Sequence, residues 1–416
     1  MTDPTPRPDF DLYDAKRYEQ SGPPYEAFRW LRANAPVFRH PEPEGKGPGF
    51  WAITRYADIV HCSTHPLIFS SWMGGTNIED YSGDDLNAMR AMLANMDPPA
   101  HSRYRRLVST GFTPRMIAAT EPHLRTLARD IIGAVAERGE CDFVTSLAVE
   151  FPLQTITQFL GVPLEDRIKI FDWSNTLIAW DDPEYQGESD PRTAAMQIWG
   201  YAMGLAEQRR ANPGDDLVSV LINSKVDGEA LGEMQFELFF LLLSVAGNET
   251  TRNLLSGGLL ALFENPDQLA RLKADPSLMP SAVDEMLRWV TPVNYFRRTV
   301  SQDTEVGGQA MKEGDKIAMY YTSANRDTSV FTDPDRFDIG RTPNEHLTFG
   351  VGEHFCLGAS LARLEIRIFF EELFQMLPDI QLAGPARRLR SNFINGIKSM
   401  PVKFTPAKVA SRPKAA

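Results

Sequence analysis

Between Glu233 and Phe263 the chain reads EMQFELFFLLLSVAGNETTRNLLSGGLLALF, and no other segment constrains the fold as much. Roughly thirty helical residues at ~1.5 Å each span about 45 Å, enough to cross a whole domain, so the rest of the chain must pack around it. Its most apolar part, Phe239 to Gly247, is far too short to cross a bilayer before Asn248 and Glu249 intervene. The middle, VAGNETTR, is the wrong chemistry for an uninterrupted core helix. Gly247 costs about 1 kcal/mol relative to alanine, and Glu249 would be charged. Two readings stay open. One is a helix with a single solvated polar stripe; the other is a deliberate break that opens a groove beside a ligand and keeps an acid and a hydroxyl close to it.

The flanking sequence predicts a mainly α fold with small β-sheets. Amphipathic helical periodicity runs through PPYEAFRWLRANAP, EPHLRTLARDIIGAVAERG, SLAVEFPLQTITQFLG and TAAMQIWGYAMGLAEQRR. Strand-like pieces are short and few: GFWAIT, FRRTV, DTEVGG, KIAMYYT and MPVKFT. No repeat, low-complexity block or long linker divides the 416 residues, so a single domain over 1–416 is expected, with flexible ends at 1–15 and 407–416. The N-terminal stretch is polar and lacks an apolar signal or anchor, and no membrane span is expected. A net charge of −12 argues against nucleic-acid binding. Cys62, Cys141 and Cys356 are odd in number and widely spaced, which implies no disulfide framework and fits a reducing, cytoplasmic location.

The stretch FGVGEHFCLG places Cys356 among three glycines and a histidine, just before a helix. A buried structural thiol is the commonest fate of a cysteine but needs no glycines around it. A zinc ligand would need a second cysteine or paired histidines at ligand spacing, and none is there. A nucleophile would want a positioned base, and His354 is poorly placed unless the loop curls back. An iron thiolate is the fourth reading. Gly350, Gly352 and Gly358 would let a tight loop run against a flat cofactor, and the amides after the cysteine, at a helix N-terminus, favour the ionised sulfur. A cysteine ligand pushes electron density onto haem iron and favours O–O cleavage. This reading accounts for every unusual residue in the stretch.

FGVGEHFCLGASLA resembles the haem-binding signature of the cytochromes P-450, with every fixed position of that pattern present, and the resemblance covers nearly the whole chain in the family's order. It implies the triangular-prism haem-thiolate fold with a long central helix, and haem b held through an axial thiolate at Cys356, with Phe349, Gly350 and Gly358 in the cofactor loop. VAGNETT resembles the oxygen-activating segment, which makes Glu249 and Thr250 an acid–alcohol pair and sets the small Ala246 and Gly247 over the porphyrin. MDPPAHSRYR is similar to the segment that grips the haem propionates. His101 and Arg105 would do so here, completed by Arg298 and His354. DEMLR resembles the family's Glu–x–x–Arg pair, Glu285 and Arg288, with Arg336 of DPDRF as third member of a structural ion network.

The chain has no flavin fingerprint, no cluster-ligating cysteines and no room for a reductase domain. Electrons are therefore expected from a separate ferredoxin and ferredoxin reductase, docking on Arg103, Arg106, Arg115, Arg363 and Arg367. Dioxygen and an apolar small molecule complete the set of partners. IFDWSNTLIAWDDPEY, VAGNETTRN, YFRRT and NFINGIKSMPV look most like bacterial members that hydroxylate steroid side chains and methyl-branched lipids. SANRD and IFFEEL resemble a terpene-alcohol hydroxylase branch. The pocket walls implied by the resemblance are Met73, Ile78, Leu177, Trp180, Leu242, Val245, Val293 and Phe393, all apolar, with Arg297 or the Trp72–Asn87 loop as a candidate carboxylate anchor. Rival readings are a peroxide-driven variant and a non-catalytic haem sensor or carrier. The first would be expected to carry an acid or other substitution in place of the acid–alcohol pair, and the second would not need an intact oxygen-activation segment.

Overall fold

The long apolar segment forms one helix, Glu233–Glu264, in a computed structural model that describes residues 6–178, 182–184, 190–226 and 228–407. The helices that position the site are α1 (Ala100–Ser109), α2 (Pro114–Ala136), α3 (Glu150–Leu160), α4 (Arg167–Ile178), the central α5 (Glu233–Glu264), α6 (Met279–Val290) and α7 (Ala359–Met376). Helices α3, α4, α6 and α7 all pack on α5. The helix stops at Asn265, whose side chain bonds back to the Ala261 carbonyl at 2.8 Å, because Pro266 follows and opens the next helix.

Neither expectation for the middle of α5 is met. The helix runs unbroken through VAGNETTR. Gly247 serves contact instead of a kink: a Cβ there would come within 2.8 Å of Ile156 on α3. The polar stripe is not solvated either, since Asn248, Glu249, Arg252 and Asn253 are all buried. The physical reason is internal pairing, because Glu249 accepts from Arg252 and from Asn253 on the same helix.

Three of the predicted strands enter a five-stranded sheet built from β1 (Val37–His40), β2 (Phe50–Ile53), β3 (Phe69–Ser70), β4 (Tyr295–Val300) and β5 (Lys316–Tyr320), in the order β1-β2-β5-β4-β3. The strands β1 and β3 carried no strand signal, and DTEVGG and MPVKFT pair in smaller sheets. Only the β2–β5 pairing is parallel. In β4, Arg297 opposes Ala318 and Arg298 opposes Ile317, so the two guanidiniums leave opposite faces of the sheet. At the N-terminus, flexibility was expected over 1–15, yet Leu12 is buried in the core and its amide donates to His40 at 3.0 Å.

Helix α7, which follows the cysteine loop, is fixed to α2 by charge as well as by apolar packing. Arg125 reaches Glu371 at 2.7 Å and Glu372 at 3.1 Å, and Arg129 reaches Glu372 at 2.6 Å. Among the described residues no helix is long and apolar enough to cross a membrane.

Candidate active site

The cysteine loop is shaped by its own backbone. The Cys356 amide donates to the Phe349 carbonyl at 2.8 Å, and Gly350 and Gly352 sit at φ +69° and +79°, where side chains are disfavoured. A Cβ on Gly352 would also come within 2.8 Å of the Ser63 carbonyl. Gly358, the N-cap of α7, differs: no protein atom would lie within 4 Å of a Cβ there, so protein packing does not demand a glycine at this position. Burial pushes the Cys356 thiol up, against the pull of the Gly358 amide and the Arg105 and Arg363 charges. A cation bonded to sulfur removes that penalty.

Beside the loop the structure gathers the four groups expected to hold carboxylates. The rings of His101 and His354 lie 4.2 Å apart, with Arg298 and Arg105 close enough to act on His354. Arg105 donates to the Phe355 carbonyl at 2.6 Å. Burial and the Arg298, His101 and Arg105 charges push His354 down to about 2. Burial likewise lowers Arg298 and, with Arg105, lowers His101. The Nδ1 of His101 is buried without a hydrogen bond, and the nearest carboxylate oxygen, of Glu353, is 3.6 Å away. Four basic groups held together at mutual cost, one of them unsatisfied, fit a dianionic ligand. With the open space at Gly358 and the single thiol, the donor set fits a haem-thiolate group. Ser71, whose hydroxyl lies 3.3 Å from the His354 ring, also belongs here and carried no signal in the sequence.

Around the middle of α5 the accessible side chains fall on one stripe. Leu242, Val245, Ala246 and Thr250 are exposed to different degrees, whereas Leu241, Leu243, Ser244, Asn248 and Glu249 are buried. Spacings of three and four put the accessible set on a single face. The Thr250 hydroxyl donates to the Ala246 carbonyl at 2.7 Å. Its neighbour Glu249 faces elsewhere, held by Arg252 and by Asn253 at 2.9 Å, and Arg252 continues to Asn175 of α4 at 3.3 Å. Acid and alcohol are thus adjacent in the chain but committed to different partners. Arg252 is the functional neighbour that sequence reading missed, although it lies three residues from Glu249 on one helix.

The expected pocket walls divide. Leu177 and Leu242 pack against the same apolar cluster as Leu357, the residue after the cysteine. Val293 pairs with Ile394, and Phe393 sits half-buried with its ring 5.7 Å from that of Phe296. Met73 is half-buried. Ile78 is a correction: it is fully buried among Leu12, Phe28, Phe50 and Tyr295, so it belongs to the core. Trp180 lies outside the described residues. Arg297 cannot anchor a substrate carboxylate, because its guanidinium already donates to backbone carbonyls and to Asp80.

The ion network has a different third member. Glu285 and Arg288 form a buried bidentate pair at 2.8 and 2.7 Å. The arginine that joins Glu285 is Arg341, at 3.1 Å, not Arg336. The Arg336 side chain is exposed, and only its backbone carbonyl takes part, accepting from Arg288 at 3.2 Å and from Arg341 at 2.9 Å. Around the cysteine face, three of the five expected docking arginines are already paired: Arg103 with Glu229, Arg363 with Asp284 at 2.8 Å, and Arg367 with Glu121 at 2.9 Å. The positive charge of that face is therefore partly neutralised within the chain.

Comparison with known proteins agrees with this geometry. A family model described as Cytochrome P450 matches residues 190–377. The chain is 42% identical over 406 residues to the steroid C26-monooxygenase of Rhodococcus jostii (strain RHA1), covering 96% of this chain and 85% of the relative. It is 43% identical over 389 residues to the methyl-branched lipid omega-hydroxylase of Mycobacterium tuberculosis (strain ATCC 25618 / H37Rv), covering 91% and 90%. Among solved structures, Mycobacterium marinum cytochrome P450 CYP268A2 in complex with pseudoionone superposes with a TM-score of 0.89 at 40% identity, covering 96% of this chain and 99% of that one.

Proposed function

This chain belongs to the cytochrome P450 family and is a monooxygenase, and from that premise we propose that it hydroxylates an unactivated carbon on the branched aliphatic chain of a steroid or methyl-branched lipid. The observation that carries the reading is the accessible stripe Leu242–Val245–Ala246–Thr250 in the middle of the central helix, where Leu241, Leu243, Ser244, Asn248 and Glu249 are buried. It offers an apolar wall with a single hydroxyl, which suits an aliphatic chain and one oxygen-handling group.

Haem b, bound through Cys356, would supply the activation of dioxygen and the insertion of one oxygen atom into the C–H bond. His101, Arg105, Arg298 and His354 would hold its two carboxylates, whose negative charge would offset the burial and the neighbouring positive charges that lower the His354 pKa. Thr250 would turn its hydroxyl from the Ala246 carbonyl toward the reacting oxygen, and Glu249 would bring protons once it leaves Arg252. Met73, Leu177, Leu242, Val245, Val293 and Phe393 would exclude water and orient the chain. Electrons would come from a ferredoxin and its reductase, with the basic face beside the cysteine loop as the docking area and the cytoplasm as the setting.

The test is a spectral titration of the purified holoprotein with cholest-4-en-3-one, 15-methylhexadecanoic acid and pseudoionone, followed by product analysis. A low-spin to high-spin shift and a terminally hydroxylated product with either of the first two supports the reading. A terpenoid is the second reading, because the neighbour CYP268A2 was solved with pseudoionone. A shift with pseudoionone alone selects it. Turnover with none of them under any reductant favours a haem carrier.

A further inference from the structure

We propose that Arg297 and Lys316 are specificity-determining positioning residues: working from the sheet, they clamp the backbone of segment 76–80 and so fix the wall of the pocket to which Met73 belongs. The reading above supplies the identity of the pocket; the clamp itself stands on geometry. Arg297 leaves β4 on the face opposite to Arg298. Its Nη1 donates to the carbonyls of Ile78 at 3.1 Å and Glu79 at 2.9 Å and to Asp80 Oδ1 at 2.8 Å. Its own amide donates to the Thr76 carbonyl at 2.7 Å. Lys316, on the neighbouring β5, donates to the Ile78 carbonyl at 3.3 Å, to Asp80 Oδ2 at 2.9 Å and to Glu42 Oε1 at 2.7 Å.

Both cations are almost fully buried, at 4% and 3% exposure. Segment 76–80 therefore cannot lift without stranding the Arg297 charge away from water and leaving Lys316 to Glu42 alone, and a stranded charge is strongly disfavoured in a protein interior. Gly74 fits the same device: a Cβ there would lie 2.8 Å from the Arg297 guanidinium carbon. The outer end of the loop is gripped independently. Arg90 donates to the carbonyls of Trp72 at 3.0 Å and Met73 at 3.2 Å and lies 3.9 Å from the centroid of the Trp72 ring. Ile78, whose carbonyl takes part in the inner grip, has its side chain plugged into the core.

The shape of this wall is thus set by donors to backbone carbonyls, which hold their distance, with Ile78 as its one anchor in the apolar core. A wall that holds its shape discriminates by clash, rejecting ligands too broad for the gap instead of re-forming around them. Asp80 links the two cations and is itself half-exposed, so it is the member that can be changed without opening the core.

The holoenzyme tests this in two ways that do not need the natural substrate. Hydrogen exchange reads the segment, and iron-ligand spectral shifts compare the affinities of imidazole and of the bulky clotrimazole. In Arg297→Lys, which keeps the charge and loses the fork, amides of 72–80 should exchange about tenfold faster while those of 359–376 do not change. The preference for clotrimazole over imidazole should rise about fivefold. Asp80→Asn, which keeps an acceptor for Arg297 and leaves Glu42 on Lys316, should move both readouts in the same direction by about threefold. Unchanged exchange at 72–80 in both variants overturns the clamp, and faster exchange with an unchanged azole ratio overturns its role in specificity. If the reduced carbonyl complex of the wild type lacks thiolate-type absorption, the monooxygenase reading falls while the exchange result still decides the clamp.

Discussion

Two buried acid–arginine pairs, each spaced three residues apart on a helix, do different work in this molecule. Glu285 accepts from Arg288, Arg341, Asn344 and the Asp338 amide, at 2.7 to 3.1 Å. Arg288 in turn spends its remaining donors on the carbonyls of Asn325, Pro334 and Arg336. Among the described residues Glu249 accepts from Arg252 and Asn253, both on its own helix. The first pair is saturated and ties distant loops to α6. The second is sparsely held, one residue from the hydroxyl of an accessible stripe. Saturation, not burial, separates a pair that fixes structure from one that can let go of a proton carrier.

The largest expected effect tests the saturated pair. Glu285→Gln leaves Arg288 and Arg341 buried without their counter-charge and should cost about 3–5 kcal/mol in chemical denaturation. Arg341→Gln should cost about 2–3 kcal/mol, whereas Arg336→Ala should leave the denaturation midpoint where it is. A loss at Arg336 equal to that at Arg341 would reverse the assignment of the third member. Glu249→Gln should cost only about 1–2 kcal/mol, because Arg252 keeps Asn175, yet product formed per electron consumed should fall about tenfold or more. If it instead destabilises as much as Glu285→Gln and leaves coupling alone, the two pairs are alike and the comparison breaks. The smallest effect on stability is expected from Thr250→Ala, which removes one helix-internal hydrogen bond worth less than about 1 kcal/mol. It should still divert reductant from product, measured as reductant consumed against product formed.

What the sequence made legible was local. The cysteine loop carries its glycines within a few residues of Cys356, and the acid, the alcohol and the small residues over the site lie within one helical turn or so of one another. The helical class and the short strands followed from periodicity for the same reason. The misses were choices between partners brought together by folding. Arg336 and Arg341 lie five residues apart on one irregular loop, and only the path of that loop decides which side chain turns in to Glu285. Ile78 and Arg297 looked available for a ligand because nothing in their neighbourhood announces the core cluster and the carbonyls that occupy them. The unbroken α5 was missed because its polar residues neutralise one another across turns, which a count of charged residues does not reveal.

The central helix also divides its apolar residues between two cores. Phe236, Phe239, Phe240, Leu241 and Leu243 belong to one, and Leu254, Leu255, Leu259 and Leu262 to the other, with the polar residues 248–253 between them. The reactive chemistry therefore occupies a seam. Selection can rework side chains there without thinning either half of the molecule, and each half can be tuned for rigidity or give while the rod that joins them stays in register.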